Sequence, residues 1–337
     1  MSEKIILNHF MEKGGFFPLV IKHVDTVFVF CRVGAGHLGK NGQITVLSSA
    51  DGTVWQRRGT IAKTNSDIRN PSAFIFPNGK MIVSAYKYNV YDENGFSAPA
   101  KNNSPHNYDI LIFSSDDGGY TWTETSADFS SVIKEIGKPS PHGVMFMFNN
   151  RLLMPVYNRE GAFLLAANDD GSKWEIFSQI APNMLEPFVV KTQKNNLVAV
   201  MRSLRKGPYA EASMISRFEN SKWTEPAPIT EPMQHPASLL QLQNGKILLT
   251  YGDRNYENQR ILIKTSDNDG LSWGSEKQLG ESFKNCDFGY PTTAELTPNN
   301  LLTVFYVNQM ENPYFYYGNE GFYSDTNAKG CYYLWSE

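Results

Sequence analysis

Several features are scarce in this 337-residue chain, and each scarcity narrows its role. Cysteine occurs three times, at Cys31, Cys286 and Cys331, widely spaced and odd in number. That excludes a disulfide framework and a zinc-ligand pattern, and leaves buried thiols as the expected state. Long apolar runs are missing: Ile5–Leu7 and Val27–Cys31 are far too short to cross a bilayer. Charge of one sign is missing too, since the formal net charge is −3 and the basic residues are dispersed. Neither nucleic acid nor an anionic membrane is therefore an expected partner. Helical periodicity is nearly absent, with one short helical turn expected near Ser130–Glu135. No HExxH-like spacing links the six histidines, so no catalytic metal and no cofactor is expected. The N-terminus, MSEKIILNHF, lacks a basic region, an apolar stretch and a small-residue cleavage site. A cytoplasmic location is the expectation, or secretion had a leader been trimmed.

What the chain does have is repetition. Hydrophobic residues make up 41% and aromatics 13%, ample for a large core. One unit recurs: a residue followed by proline, an apolar strand, a turn, and a second apolar strand ending in a polar residue. The copies are FPLVIKHVDTVFVFCR from Phe17, NPSAFIFPNGKMIVSAYK from Asn70, PHGVMFMFNNRLLMPVYN from Pro141, EPFVVKTQKNNLVAVMR from Glu186, HPASLLQLQNGKILLTYGDR from His235 and YPTTAELTPNNLLTVFYVN from Tyr290. Their prolines fall at 18, 71, 141, 187, 236 and 291, giving steps of 53, 70, 46, 49 and 55. Asn78-Gly79 and Asn244-Gly245 are two-residue hairpin signals, and Asn149-Asn150, Asn195-Asn196 and Asn299-Asn300 tolerate the same positive φ. Each unit thus opens with a β-hairpin, its proline expected at the first residue of a strand, where no ladder donor is needed.

A second motif follows each hairpin: SADGTVW to Trp55, SDDGGYTW to Trp122, ANDDGSKW to Trp174, SRFENSKW to Trp223 and SDNDGLSW to Trp273. A period near 50 with about four short strands per copy is a propeller blade. The expected fold is all-β: a six-bladed β-propeller of four-stranded antiparallel blades, forming one domain over residues 1–337. The sixth copy ends in CYYLWSE without an acidic-glycine turn, so the lone N-terminal strand Lys4–Leu7 is expected to join that blade and close the ring. The 70-residue step contains an insertion, about residues 89–108, whose Asn, Ser, Pro and Gly content reads as a loop.

The form Ser-x-Asp-x-Gly-x-Thr-Trp, met in full by Ser115, Asp117, Gly119, Thr121 and Trp122, resembles the Asp-box (BNR repeat) of the sialidase superfamily. Its physical sense is a turn in which a carboxylate accepts backbone N–H groups, glycine takes positive φ and tryptophan packs between sheets. A calcium loop is the competing reading, but the flanking helices and longer acidic series of an EF-hand are missing. In the superfamily these boxes lie on the face away from the substrate, so the resemblance implies fold more than activity.

If the hairpins are inner strands, six equivalent positions converge on the axis. Before the prolines stand Phe17, Asn70, Glu186, His235 and Tyr290, with His142 beside Pro141. The second strands end in Arg32, Lys87, Asn158, Arg202, Asp253 with Arg254, and Asn308. LEPFVV followed by AVMRS resembles the sialidase segment bearing a catalytic glutamate and a substrate-binding arginine, which implies those roles for Glu186 and Arg202. DFGYPTTAEL resembles the segment bearing the nucleophilic tyrosine, which implies that role for Tyr290. Sialidases depart from the paired-carboxylate rule of glycosidases in this way. The family's first arginine, in an Arg-Ile-Pro stretch, is replaced by Phe16-Phe17-Pro18, and its acid/base aspartate by the loop RVGAGHLGKNG, where His37 is the candidate replacement.

The resemblance implies a sialidase-like glycoside hydrolase acting on a terminal sugar, with carbohydrate as partner; it leaves the oligomeric state open. Catalytic candidates are Glu186, Tyr290, His235 and Asp253. Substrate-binding candidates are Arg202, Arg254, Arg32, Arg69, Asn70, His142 and His37. Each has a structural reading as well: Glu186 with Arg202 as an ion pair between blades, Tyr290 as a core aromatic, the histidines as hydrogen-bonded scaffold. A uronate-directed polysaccharide lyase using His142 or His235 with Tyr290, and a non-catalytic carbohydrate-binding propeller, are the alternative functions.

Overall fold

A computed structural model describes residues 5–62, 66–88, 91, 108–168, 171–204, 206–310 and 323–337. Six antiparallel sheets follow one another along the chain. The first blade is built from Phe16–His23, Thr26–Val33, Gln43–Ser49 and Gln56–Ile61, and the second from Asp67–Ile75, Met81–Tyr88, Tyr108–Ser115 and Thr123–Thr125. In the third, Ser140–Pro141 and Phe146–Phe148 share the inner edge of Arg151–Tyr157, followed by Gly161–Ala167 and Trp174–Pro182. The fourth runs through Met184–Lys191, Leu197–Ser203 and Ser213–Glu219 to an outer edge divided between Lys222–Trp223 and Ala227–Pro228. Gln234–Gln241, Ile247–Asp253, Gln259–Ser266 and Lys277–Phe283 make the fifth. The one helix among the described residues, Ser130–Ile136, lies where the sequence suggested a helical turn.

The sixth blade comes from both ends of the chain. Cys286–Thr297, Asn300–Gln309 and Ala328–Ser336 supply three strands, and Leu7–Met11 pairs antiparallel with the last of them. Closure by the N-terminal strand is as expected, but that strand is Leu7–Met11 rather than Lys4–Leu7. The apolar triplet Ile5–Leu7 is not its centre: Phe10, 6% exposed, is the residue that enters the core, against Val20, Val29 and Tyr332. The insertion expected at about 89–108 lies outside the described residues, apart from Tyr91 and Tyr108.

Two local expectations are corrected. The blade prolines do not begin their strands: Pro18, Pro187 and Pro236 sit inside them, at register shifts between Phe16 and Leu19, Leu185 and Phe188, and Gln234 and Ala237. The same shift separates Arg69 from Ser72 and Gly289 from Thr292. A bulge leaves one residue out of the ladder, which removes the need for the N–H that proline lacks. The turn at Asn78-Gly79 is not a two-residue loop either. Phe76 N–H donates to Lys80 O at 2.8 Å, and Gly79 alone takes positive φ, 86°. Pro77 cannot take positive φ, so a type I turn followed by a left-handed glycine closes the hairpin. Asn244-Gly245 closes in the same way, with Leu242 N–H on Lys246 O and Gly245 at 90°.

The acidic-glycine turns act as latches between blades. Asp117 accepts the N–H groups of Tyr120 and Thr121 at 3.0 Å and the Thr121 hydroxyl at 2.6 Å. Asn268 takes the same role from Ser272 N–H at 2.9 Å. Three of the tryptophans reach the preceding blade: Trp122 edge-on to Phe30 at 6.4 Å, Trp55 against Tyr332 at 6.0 Å, and Trp223 donating to Ser178 Oγ at 3.0 Å. Trp174, fully buried, stacks on Phe129 at 5.8 Å and donates Nε1–H to Gly171 O at 2.9 Å. The first strand's bulge pairs with the end of the second strand, as Leu185 does with Arg202, and the third strand starts there and runs away. The latches that follow the third strands therefore lie on the face opposite the bulges.

Trp174→Ala should cost about 3–5 kcal/mol, the range for emptying a buried aromatic site. Urea denaturation measures it, and a loss below about 1 kcal/mol would mean that this latch holds nothing.

Candidate active site

Four of the residues before the blade prolines carry left-handed backbone: Phe17 (φ 49°), Asn70 (47°), Glu186 (51°) and Tyr290 (52°). Non-glycine residues adopt this conformation at a cost of order 1 kcal/mol or more, and such strain concentrates at functional sites. The fifth, His235, precedes a cis peptide to Pro236. In the third blade the inner strand stops at Pro141, and His142 N–H bonds Pro155 O at 3.0 Å. These steps bring Phe17, Asn70, His142, Pro236 and Tyr290 around a small cavity of about 30 Å³ on the axis.

Glu186 and Tyr290, 104 residues apart, meet beside it. The Tyr290 hydroxyl donates to Glu186 Oε1 at 2.6 Å, and Arg202 Nε donates to Glu186 Oε2 at 2.7 Å. The other side of Arg202 is held by Glu211 Oε1, 3.0 Å from Nη1, and His235 Nε2 lies 3.9 Å from the same oxygen. Burial works against the Glu186 charge, but Arg202, His142, His235 and the Tyr290 hydroxyl outweigh it and bring the pKa down to about 2. Burial and the Glu186 charge push the Tyr290 phenol well above its ordinary value. The pair is therefore a carboxylate accepting from a neutral phenol, with the acceptor able to draw the proton as the oxygen forms a bond.

Further rings pack around the pair. Burial lowers the pKa of His142, whose Nδ1 lies 3.2 Å from Pro187 O, and its ring meets Tyr290 at 5.9 Å and Tyr157 at 6.2 Å. Phe17 stands edge-on to Tyr290 at 4.8 Å and to His37 at 4.9 Å. Beyond it lies a second cluster centred on Asp287. His37 Nδ1 is 2.7 Å from Asp287 Oδ2, while Tyr306 OH at 2.9 Å and Arg254 Nη2 at 3.2 Å donate to Oδ1. Burial holds the His37 pKa below its ordinary value against the pull of Asp287. A third cluster joins Arg32, Asp67 and Arg69. Arg32, with no exposed surface, directs Nε and Nη2 to Asp67 Oδ1 at 3.1 and 2.6 Å and its remaining donors to Gly36 and Gly39 carbonyls. A side chain at Gly42 would fall 2.1 Å from that carboxylate, which explains the glycine in the loop.

The structure thus brings Glu186, Tyr290, Arg202, His142 and His235 together, with Asn70 on the same cavity wall. Arg254 and His37 converge on Asp287. Two other candidates are fully engaged elsewhere. Arg32 is walled in and organises the loop before the second blade, which leaves it no donor for a substrate. Asp253 is held within its own blade by Arg260, at 3.1 Å, and by the Asn255 N–H at 3.2 Å. Of the strand-end residues, Asn158 donates to Ile136 O and Lys87 faces Asp109 at 4.0 Å. No group of three His, Cys, Asp or Glu among the described residues is placed to hold a metal ion.

Residues 30–300 match the BNR repeat-like domain family. The chain belongs to that family. Among solved structures, this BNR repeat-like chain superposes on a protein of unknown function from Dyadobacter fermentans with a TM-score of 0.76, at 18% identity, covering 100% of the chain and 99% of the other. The Hadza microbial sialidase Hz136 follows the fold at 0.69 and 15% identity, covering 98% of this chain and 68% of the sialidase. The NanB sialidase of Streptococcus pneumoniae does so at 0.68 and 12% identity, covering 99% and 70%. No match to a curated protein sequence was found. The likeness to sialidases is one of fold.

Asp67, Glu211, Asp287, Tyr157 and Tyr306 were not singled out from the sequence, although each contacts a predicted site residue. A usable signal existed for two of them. Asp67 lies two residues before Arg69, and Asp287 falls within the quoted DFGYPTTAEL. Glu211 sits in the connection between Leu197–Ser203 and Ser213–Glu219, where only folding shows what it faces.

Arg202→Met should destabilise the protein by about 3–5 kcal/mol at neutral pH, because Glu186 is left buried and unpaired. In the wild type the lowered pKa of Glu186 contributes stability above the ordinary carboxylate range, lost as pH falls toward 2. In the variant the carboxyl pKa rises, so the deficit should shrink on acidification from pH 7 to 5. Urea denaturation at both pH values measures this, and a deficit independent of pH would contradict it.

Proposed function

We propose that the protein is a sialidase-like glycoside hydrolase acting on the terminal sugar of a glycan, with Tyr290 as nucleophile and Glu186 as its base. The observation that carries this reading is the 2.6 Å hydrogen bond from the Tyr290 hydroxyl to an ionised Glu186. In the first half-reaction the phenolic oxygen bonds to the anomeric carbon, the bond to the aglycone breaks, the departing oxygen takes a proton from solvent, and Glu186 takes the phenolic proton. Water then attacks the anomeric carbon and releases a proton to solvent. The bond to Tyr290 breaks, and Glu186 returns its proton to the phenolate. Arg202 stabilises the Glu186 charge and orients the carboxylate through Nε. A neutral nucleophile suits an anionic sugar, which would repel a carboxylate.

Elimination by a histidine–tyrosine pair fits less well. The Tyr290 hydroxyl is engaged by Glu186, and His142 Nδ1 is taken by the Pro187 carbonyl.

Aryl glycosides test the nucleophilic half alone, because a phenolate leaves without a proton. Turnover should fall by about 10²–10⁴ in Glu186→Gln and comparably in Tyr290→Phe. Release of a near-ultraviolet-absorbing unsaturated sugar would replace hydrolysis with elimination. Glycan binding without turnover, unchanged in Glu186→Gln, would make the protein a binding propeller.

A further inference from the structure

The arginines near the axis differ in how their charge is met. Arg202 bonds two carboxylates, Glu186 and Glu211, and Arg254 bonds Asp287. Arg32 donates both of its ion-pairing bonds to Asp67 Oδ1, while the Tyr91 hydroxyl donates to Oδ2. Arg69, 7% exposed, is left with that same Asp67 at 3.9 Å, beyond hydrogen-bond range. Its Nε has no hydrogen-bond partner. Three aromatic faces line the guanidinium instead: Phe17 at 5.6 Å, Tyr86 at 5.7 Å and Tyr88 at 5.8 Å. These rings favour the cation and fix its plane, but they accept no N–H bonds of ordinary strength. A buried guanidinium with open donors is costly unless something supplies oxygens to it.

A second unmet group lies beside it. Asn70, 6% exposed and on the wall of the axial cavity, has a buried Oδ1 with no donor. The left-handed bulge that turns Asn70 to the axis follows directly after Arg69. Adjacent residues therefore offer a forked cation and a carbonyl acceptor, a match for a carboxylate next to a hydroxyl. Position then separates the kinds of acidic sugar. The anomeric carbon belongs at the Tyr290 oxygen, where the flanking arginines are already neutralised by Glu186, Glu211 and Asp287. Arg69 packs on the Phe17 ring, whose edge meets Tyr290 at 4.8 Å, so it stands off from the reacting carbon.

We infer that Arg69 and Asn70 select a uronic acid, Arg69 receiving the ring carboxylate and Asn70 the neighbouring hydroxyl. The inference rests on the axial site being the substrate pocket, and it names the sugar class that this pocket takes.

Calorimetric titration of the full-length protein with methyl glycosides of glucuronate and galacturonate, of glucose and galactose, and of N-acetylneuraminate tests it. At least one uronate should bind about tenfold or more tighter than its neutral counterpart, a difference of roughly 1.4 kcal/mol. Arg69→Met should abolish that preference, and Arg69→Lys should restore part of it, keeping charge without the fork. Equal binding of uronate and neutral sugar, no uronate binding, tighter binding of N-acetylneuraminate than of either uronate, or a preference that survives Arg69→Met would each overturn the inference. The wild-type comparison stands even if a variant fails to fold. A uronate preference without turnover would remove the hydrolase reading and leave this one intact.

Discussion

Pairing of Leu7–Met11 with Ala328–Ser336 closes the ring, and every position on the axis depends on it. The inner strand of the sixth blade bears Tyr290 and packs between those of the fifth and first blades, which bear His235 and Phe17. Without the closing strand, Ala328–Ser336 would expose an unpaired ladder, and the blade that holds Tyr290 opposite Glu186 would lose its outer support. Sequence-remote residues such as Glu186 and Tyr290 meet here only because the sheets form a closed circuit. The latches reinforce that circuit blade by blade from the opposite face, which leaves the bulge end free to carry polar groups.

The polar end is built around buried ion pairs, each with a distinct task. Arg202 sits between Glu186 and Glu211, so the carboxylate facing Tyr290 stays ionised despite its burial. Asp287 collects His37, Arg254 and Tyr306 and is kept ionised by them, although burial opposes it. Asp67 fixes the loop of the first blade onto the second through Arg32. Buried pairs of this kind contribute little net stability but penalise any arrangement that separates them. They hold the five bulges in a common register around the cavity. Arg69 differs in resting mainly on rings, with an Asp67 oxygen 3.9 Å from its Nε.

The fold was legible because it is periodic. Recurrent prolines, turn asparagines and glycines, and tryptophans near every fiftieth residue gave the blade count. The convergence of Glu186, Arg202 and Tyr290 followed from equivalent positions in the repeats. Local geometry was less legible. Pro18 and Pro187 lie in bulges rather than at strand starts, because proline reads alike in both settings until the partner strand's register is known. Asn78-Gly79 closes a longer loop than its dipeptide suggests, because the preceding Pro77 decides the turn type.

Chemical environment divided the candidates in a way no spacing could. Arg32 and Arg69 are both strand arginines next to Asp67, yet one is saturated with acceptors and the other makes no hydrogen bond through Nε. Asp253 resembled a second catalytic carboxylate but is neutralised by Arg260 on the adjacent strand. Glu211 looked like a loop residue and proved to be the second anchor of Arg202. Residue type and period suffice to specify blades, latches and the end of the ring where polar side chains gather, since these follow from local propensity and repetition. Which charges are neutralised, and which donors are left without an acceptor, depends on contacts between blades dozens of residues apart, and only folding brings those atoms within reach.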